Sequence, residues 1–354
     1  MPAIPKPEGH TRVLVTGANG YIAMWIIHYL LEQGYLVRGT VRSRAKGEPL
    51  SKHFKEYYDS GKLDLAIVAD STQEGAYNDL VKDVSAIIHV ASAVHDEQGD
   101  PSKIINPNVQ ATLQIMNSAL AFGRHIKRVI YTSSTSAIKR SEVVEAAESI
   151  TNLFNEENWN NDSPELVQRL GASALFSDKY QTSKVFAERA AWNFVEEHKD
   201  EISWDLCTLQ PGFPFLQDWK DPSEFSWTSK FFHDLVFDPS PTPKDLLETS
   251  HASVDVRDCA LAHVLALQKQ DAGGQRILLV GTDIISHDWI EEANRLKSEY
   301  NFSKYSVVPP YPGIQKVYNP RFDNTKARHI LGITFRRTEP MARGILEDYV
   351  RRGW

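Results

Sequence analysis

The sequence predicts an α/β fold of the Rossmann type, a doubly wound parallel sheet with a smaller, discontinuous C-terminal lobe. A glycine-rich turn joins an apolar strand to a helix between Thr11 and Arg42. The N-terminal two-thirds of the chain alternates short β-branched runs with longer helical patterns, as parallel strands covered by helices on both faces do. Aromatic and proline-rich stretches then interrupt this alternation, which predicts the separate lobe.

The individual elements follow from the period of the apolar residues. Short apolar runs bounded by turn residues predict strands at 12–16, 36–41, 63–68, 86–90, 128–132, 204–210 and 276–280. Apolar residues spaced three and four apart predict helices at 21–32, 75–82, 104–122, 179–197 and 256–268.

The turn after the first strand predicts a dinucleotide-binding site. Its spacing is Gly17-x-x-Gly20-x-x-Ala23, in which Gly17 permits a sharp turn, Gly20 leaves room for phosphates and Ala23 permits close helix packing. Because N–H groups at a helix N-terminus bind anions, we expect a pyrophosphate there. The residues expected to bind it are Gly17, Asn19, Gly20, Tyr21 and Ile22.

Charge at the end of the second strand predicts which dinucleotide binds. Chains that bind NAD place an acid about 20 residues after the glycine turn, whereas chains that bind NADP have an arginine nearby. Here Val41 is followed by Arg42, and no Asp or Glu occurs before Glu48. We therefore predict NADPH, with Arg42 as the main ligand of the 2′-phosphate and Ser43 and Lys46 assisting.

The composition excludes several functional classes. The chain has 354 residues, of which 42% are hydrophobic and 24% charged, as in an ordinary globular protein. Its net charge of −7 argues against nucleic-acid or anionic-membrane binding. No long apolar run or N-terminal signal occurs, so we expect a cytoplasmic protein. The histidines lack metal-ligand spacing, so no metal is expected, and Cys207 and Cys259 are predicted to be buried thiols.

A tyrosine and a lysine on one predicted helix are candidate catalytic residues. Tyr180 and Lys184 are four residues apart, so they share the apolar, inward face of that helix. A neighbouring ammonium favours phenolate, so we expect Lys184 to lower the pKa of Tyr180 from about 10 towards working pH, making the phenol a usable proton donor. The same spacing recurs at Tyr58 and Tyr300, but neither opens a long amphipathic helix.

Hydroxyl residues follow the predicted strand at 128–132. They form the run Ser133-Ser134-Thr135-Ser136. A hydroxyl at the carboxyl end of a central strand can donate to a substrate carbonyl oxygen, so one of these residues is a candidate third catalytic member. The others are expected to satisfy backbone groups of the turn.

In combination, these motifs resemble the extended short-chain dehydrogenases/reductases. More narrowly, the chain is similar to the dihydroflavonol-reductase-like branch, which includes yeast and fungal NADPH-dependent methylglyoxal, aldehyde and ketone reductases. Further matching stretches are 39–43, 89–92, 155–160, 210–213 and 254–258, and the similarity spans roughly residues 12–279. It fades beyond that point.

The resemblance implies a role for each matching residue. Tyr180 would be the proton donor, Lys184 its electrostatic partner and a ribose ligand, and Ser134, the second Ser of the run, the carbonyl-orienting hydroxyl. Asn108 matches the position where many relatives keep an Asn that takes part in a water-mediated proton relay. The alternative is an ordinary Asn that kinks or caps the helix. The resemblance also implies further cofactor contacts, which are Asp70, Ser71, Val90, Ala91, Ser92, Pro211, Phe213, Pro214 and Ser229.

We expect two domains that are discontinuous in sequence. Residues 1–210 with about 251–285 would bind NADP, and about 211–250 with 286–354 would form a substrate-binding lobe over the carboxyl edge of the sheet. Asp255 and Arg257 are predicted to form a structural ion pair that joins them. The residues expected to contact substrate are Ser134, Val94, Phe176, Phe213 and Trp227, and their aromatic character favours a hydrophobic or aryl-substituted compound.

The sequence therefore predicts an NADPH-dependent carbonyl reductase that converts a ketone or aldehyde stereoselectively to an alcohol. Its partner would be a small carbonyl compound, and the chain would be a monomer or homodimer. A nucleotide-sugar epimerase or dehydratase of the same fold, with tightly bound NAD, is one alternative. A non-catalytic NADP-sensing regulator is another, although such proteins typically lack the Tyr-Lys pair.

Overall fold

The computed structural model describes residues 4–5, 7, 10–92, 99–140, 153–215 and 225–354. Its main feature is a seven-stranded sheet in which every strand pair is parallel. The strands of this sheet are β1 (Arg12–Thr16), β2 (Leu36–Val41), β3 (Leu63–Ile67), β4 (Ala86–His89), β5 (Arg128–Thr132), β7 (Asp205–Pro211) and β10 (Arg276–Leu279). The predicted Rossmann-type parallel sheet is thus confirmed.

The strand order is β10-β7-β5-β4-β1-β2-β3. The chain runs outward from β1 to β3 and then returns to the other side at β4, so the order reverses between β1 and β4. Ligands of open α/β sheets bind at the carboxyl ends of the strands beside such a reversal. The glycine turn after β1 lies at this point.

Helices cover both faces of the sheet. The helices in chain order are α1 (Tyr21–Glu32), α2 (Arg44–His53), α3 (Lys55–Asp59), α4 (Ser102–Phe122), α5 (Asp162–Leu170), α6 (Phe176–Glu197), α7 (Trp227–Phe237), α8 (Lys244–Glu248), α9 (Val256–Gln268), α10 (Ser286–Leu296), α11 (Thr325–Leu331) and α12 (Thr338–Arg351). Helices α1 and α9 pack on one face, and α4 and α6 pack on the other. Their apolar sides and the buried strands form the core.

A second apolar cluster lies outside the large sheet. Side chains from α7, α10 and α12, including Phe232, Trp289 and Met341, are fully buried in it. Beside it is a three-stranded sheet of β8 (Phe213–Phe215), β9 (Ser250–Asp255) and β11 (Thr282–Ile285), and a two-residue pairing joins β6 (Leu153–Phe154) to β12 (Arg321–Phe322). Strands β9 and β11 therefore pair outside the large sheet. The boundaries of the two expected domains stay a prediction.

Two local predictions can be compared directly with the structure. The predicted helix at 75–82 is wrong: Gly75 has φ +74°, and consecutive turns close through bonds from Asn78 N to Gly75 O and from Leu80 N to Tyr77 O. The apolar spacing there reflects the buried Tyr77. Asp255 and Arg257 do form an ion pair, with Arg257 Nη2 2.6 Å from Asp255 Oδ2.

Several negative findings concern the described residues alone. Within these ranges, no helix is both long and apolar enough to cross a membrane. The same residues contain no group of three or more His, Cys, Asp or Glu side chains that could hold a metal ion. Cys207 and Cys259 are both buried and unbridged.

Candidate active site

The glycine turn packs directly against the end of β4. Gly17 has φ +64°, and a Cβ atom there would lie 3.0 Å from Ala91 Cα. The hydroxyl of Thr16 accepts bonds from the N–H groups of Val90 and Ala91, each at 3.1 Å. A larger residue at position 17 would therefore separate the two strand ends that border the predicted dinucleotide site.

The start of α1 fits an anionic group. Gly20 is the N-cap residue of this helix and provides no side-chain hydrogen bond to it. The first N–H groups of an α-helix lack partners within the helix, and the helix dipole favours negative charge at this end. A bond from Gly20 N to Gly17 O, 2.8 Å long, fixes the turn. The residues present therefore fit a dinucleotide pyrophosphate.

The predicted 2′-phosphate residues lie at the end of β2. Arg42, Ser43 and Lys46 are all exposed, and Ser43 Oγ caps α2 by accepting from Lys46 N at 3.4 Å. Asp70 lies within electrostatic reach of Arg42. Hydrogen bonds from Thr72, and secondarily the charge of Arg42, hold the pKa of Asp70 below its ordinary value. Arg42 and Asp70, which is a further predicted cofactor contact, thus share one edge of the sheet.

The three predicted catalytic groups converge at the carboxyl end of β5. The side chains of Tyr180 and Ser134 interact at this point, although they lie on α6 and on the turn after β5. Lys184 Nζ is 5.9 Å from the centroid of the Tyr180 ring. A phenol, a hydroxyl and an amine therefore border one space, as general acid catalysis on a carbonyl group requires.

The pKa of Tyr180 corrects one expectation. Burial raises it above the ordinary value of 10, and the hydrogen bond with Ser134 opposes that rise. The predicted lowering by Lys184 is not among the causes of this shift, and burial also lowers the pKa of Lys184 itself, to about 8. The phenol is thus protonated at neutral pH, as a proton donor must be.

The structure distinguishes the two adjacent serines. Ser133 is buried, and its hydroxyl donates to Glu188 Oε2 at 2.6 Å. Ser134 is half-buried, lies close enough to Tyr180 for its hydroxyl to lower the pKa of the phenol, and accepts from Ser136 N at 3.1 Å. Only Ser134 of this pair presents its hydroxyl beside the phenol, which favours it as the carbonyl-orienting residue.

Asn108 links three elements around the candidate catalytic helix. Its amide group donates to Ile104 O at 2.9 Å and lies 3.4 Å from Ser183 Oγ on α6. Its Oδ1 atom accepts from Ser92 Oγ at 2.9 Å. The bond to Ile104 suits a structural Asn within a helix, and the contacts with Ser92 and Ser183 place the same side chain beside the site. Its relay role stays a prediction.

Aromatic side chains form a wall on the lobe side. We call Phe213, Trp227, Phe231 and His251 the aromatic wall. Phe213 and Trp227 have ring centroids 5.4 Å apart, and the ring of Trp227 stacks on Phe231 at 5.4 Å. The ring of His251 meets Phe213 and Phe231 edge-on. Trp227 is 65% exposed, so a large apolar surface faces outward from this wall.

The remaining predicted residues fall in different places. Pro211 ends β7 and is buried, and Pro214 pairs with β9 through Val254. Ser229 Oγ lies 2.7 Å from the hydroxyl of Ser226, which caps α7 by accepting from Ser229 N. Phe176 is 43% exposed at the start of α6. Val94 lies outside the described residues.

The sequence did not predict two buried residues that hold the candidate active site together. Glu188 is fully buried one turn after Lys184 and accepts the bond from Ser133. Asn160, also fully buried, donates to Ser136 O at 3.1 Å and to Gln181 Oε1 at 3.0 Å, so it ties the serine turn to α6. Glu188 continues the four-residue spacing of the Tyr-Lys pair, which is a signal that the sequence does contain.

Comparison with known proteins identifies the family. The model of the NAD dependent epimerase/dehydratase family matches residues 13–159. The NADPH-dependent methylglyoxal reductase GRE2 of Saccharomyces cerevisiae is 30% identical over 335 residues, covering 92% of this chain and 94% of the relative. The chain belongs to this family. The predicted membership of the extended short-chain dehydrogenases/reductases is therefore confirmed.

Other members of the epimerase/dehydratase family are similar over nearly the whole chain. The ketoreductase azaE of Aspergillus niger is 29% identical over 342 residues, covering 92% of this chain and 93% of the relative. The solved structure of Gre2 from Candida albicans in complex with NADPH has a TM-score of 0.82 and 30% identity, and the match covers 96% of this chain and 99% of that one. These similarities extend through the C-terminal lobe, beyond the part that the family model matches.

Proposed function

We propose that the protein is an NADPH-dependent carbonyl reductase in which Tyr180 protonates the oxygen of a ketone or aldehyde. The convergence of Tyr180 and Ser134 is the observation that carries this proposal, since it brings an acid and a second hydroxyl donor together. Relatives that are named as NADPH-dependent reductases and ketoreductases support the same activity. NADPH is the cofactor, in agreement with those relatives.

Ser134, Tyr180 and Lys184 each have a different role in the proposed reaction. NADPH, when bound, supplies the hydride that reduces the carbonyl carbon. Ser134 and Tyr180 donate hydrogen bonds to the carbonyl oxygen, which stabilises the negative charge that develops on it. The Tyr180 proton then passes to that oxygen and completes the alcohol. Lys184 binds a ribose hydroxyl and stabilises the phenolate that remains.

The aromatic wall supports a hydrophobic or aryl-substituted substrate. Stacked and edge-on aromatic contacts add binding energy beyond the area that they bury. Trp227 is the most exposed member of the wall, so it is the one best able to stack on a bound aryl group. A cytoplasmic location and a monomeric or dimeric state remain predictions from the sequence.

A substrate panel tests the proposed activity. Purified protein is given NADPH with α-dicarbonyls, β-ketoesters and aryl ketones, and cofactor oxidation and the chirality of each alcohol are measured. We expect oxidation with at least one class and an excess of one enantiomer. Tightly bound NAD in the purified protein, without NADPH oxidation, would support the epimerase or dehydratase alternative instead.

Replacing Arg42 with Ala should weaken NADPH binding specifically. A charge-assisted bond to phosphate contributes about 1.5–3 kcal/mol, so the KM for NADPH should rise about 10- to 100-fold. The KM for NADH should stay within about twofold, because NADH has no 2′-phosphate. Arg44→Ala, which removes the neighbouring exposed arginine, is the matched control and should change neither value appreciably. An unaltered NADPH KM in R42A would contradict the assignment of this arginine.

Replacing Trp227 with Ala should reduce the preference for aryl substrates. Loss of a stacking contact costs about 0.5–1.5 kcal/mol, so kcat/KM for an aryl ketone should fall about 3- to 10-fold. The value for a small aliphatic dicarbonyl should change little. Phe122→Ala, which removes an exposed ring from α4, serves as the control. Equal losses for both substrates would argue against a stacking role for Trp227.

A further inference from the structure

A buried carboxylate connects the candidate catalytic helix to three strands of the large sheet. Glu188 lies on α6, one turn beyond Lys184 and two turns beyond Tyr180, and it is fully buried. Its oxygens accept bonds from side chains of β7, β10 and the turn after β5. The donors are Ser133 Oγ at 2.6 Å, Thr208 Oγ1 at 2.9 Å, Gln210 Nε2 at 2.8 Å and Arg276 Nε at 2.8 Å.

The cation that faces this carboxylate is itself fixed in place. Arg276 lies with its guanidinium carbon 3.7 Å from the centroid of the Trp159 ring, and its Nη1 atom donates to the carbonyls of Glu156 and Asn158. Burying a carboxylate is costly unless it is paired and hydrogen-bonded. Glu188 meets both conditions, so its position is tightly determined.

Glu188 influences two of the residues that are proposed to take part in the reaction, Ser134 and Lys184. Ser133 immediately precedes Ser134, so the bond from Ser133 to Glu188 fixes the strand end that presents the Ser134 hydroxyl. Glu188 also lies one helical turn beyond Lys184, and its carboxylate is within electrostatic reach of the Lys184 amine. That negative charge opposes the effect of burial, which lowers the pKa of Lys184 to about 8.

Other groups around Lys184 do not supply a negative charge. One neighbour is Tyr180, on α6 itself. Another is His89 on β4, whose pKa falls to about 3 through burial and, secondarily, the charge of Lys184. From β5 comes Tyr131, whose pKa is raised by burial. Both tyrosines and His89 are therefore neutral near pH 7. Among these neighbours within the described residues, Glu188 is the acidic one.

We propose that Glu188 is a positioning residue of the active site, which anchors the Ser133–Ser134 strand end to α6 and keeps the Lys184 amine protonated. The proposal rests on the roles proposed above for Ser134 and Lys184. The carboxylate of Glu188 would touch neither substrate nor cofactor. It would act through Ser134 and Lys184, which are proposed to touch them.

The test titrates Lys184 directly in the cofactor-free chain. Lysine labelled with carbon-13 is incorporated, and the Cε chemical shift of Lys184, assigned with Lys184→Arg, is followed against pH. In Glu188→Gln the titration midpoint should fall by about one pH unit, since an opposite charge at 4–6 Å shifts a pKa by about that much. In Arg276→Gln it should rise, because the carboxylate then loses its compensating cation. Ser133→Ala changes no charge and should leave the midpoint in place.

These variants keep the test decisive if one of them fails to fold. Arg276 is partly exposed, so R276Q carries the test alone if E188Q is unstable. An unchanged midpoint in either folded variant would overturn the proposal. Glu188→Asp retains the charge, so it should restore the midpoint and show a pH profile of kcat close to the wild-type profile. Because no turnover is needed for the titration, failure of the proposed reductase activity would be seen separately, in the substrate panel.

Discussion

Replacing Tyr180 with Phe should lower kcat by about 10²- to 10⁴-fold, the range that positioned general acids contribute. The substitution removes only the hydroxyl that interacts with Ser134 and leaves the ring, whose centroid is 5.9 Å from Lys184 Nζ. The dissociation constant for NADPH should therefore stay within about threefold of the wild-type value, because the ring and Lys184 remain. Steady-state kinetics and fluorescence titration with NADPH measure the two quantities.

Tyr58→Phe is a matched control for Tyr180→Phe. Tyr58 begins the same Tyr-x-x-x-Lys spacing with Lys62, but it is 44% exposed and lies on the short helix α3. The identical change there should leave kcat and NADPH binding unaltered. If Y180F retained more than about a tenth of wild-type kcat, Tyr180 would not be the proton donor.

Replacing Ser134 with Ala should lower kcat by about 10²- to 10³-fold, the cost of removing one donor to a developing oxyanion. The loss should appear mainly in kcat, since the bond to the oxygen strengthens as charge develops on it. The product enantiomeric excess should also fall, because one of the two groups that orient the carbonyl is gone. Steady-state kinetics and chiral analysis of the alcohol provide both readouts.

Two alanine variants of neighbouring serines separate Ser134 from the rest of the turn. Ser136→Ala leaves the backbone N–H that bonds to Ser134 Oγ, so its kcat should match the wild type. Ser133→Ala removes one of several donors to Glu188 and should cost far less than S134A. A larger loss in S133A than in S134A would reverse the assignment of the two serines.

The parts of the site that were predictable from the sequence are those set by local geometry. The turn at Gly17 and Gly20 is a strand, a tight turn and a helix within one short stretch, so residue size and spacing reveal it. Tyr180 and Lys184 are one helical turn apart, which places them side by side in any fold that keeps the helix. The role of Arg42, inferred from the absence of an acid after β2, stays a prediction.

The parts that were missed depend on the packing of distant strands. Glu188 receives bonds from Ser133 and Arg276, which are 55 and 88 residues away in the chain. No local pattern predicts that these side chains meet. The predicted direction of the Tyr180 pKa shift was wrong for a related reason, because burial raises this pKa and burial depends on the assembled core. Residues 75–82 likewise have helical spacing but form turns.

Hydride transfer itself is the most direct test of the proposed reductase. NADPH carrying deuterium at the transferred position of nicotinamide C4 is incubated with the protein and each carbonyl compound of the panel. The alcohol is then examined by mass spectrometry and NMR. The proposed mechanism predicts one deuterium on the carbinol carbon, in one configuration, and incorporation about 10²- to 10⁴-fold slower when Y180F replaces the wild type. Absence of deuterated alcohol from every compound, with NADPH left unoxidised, would contradict it.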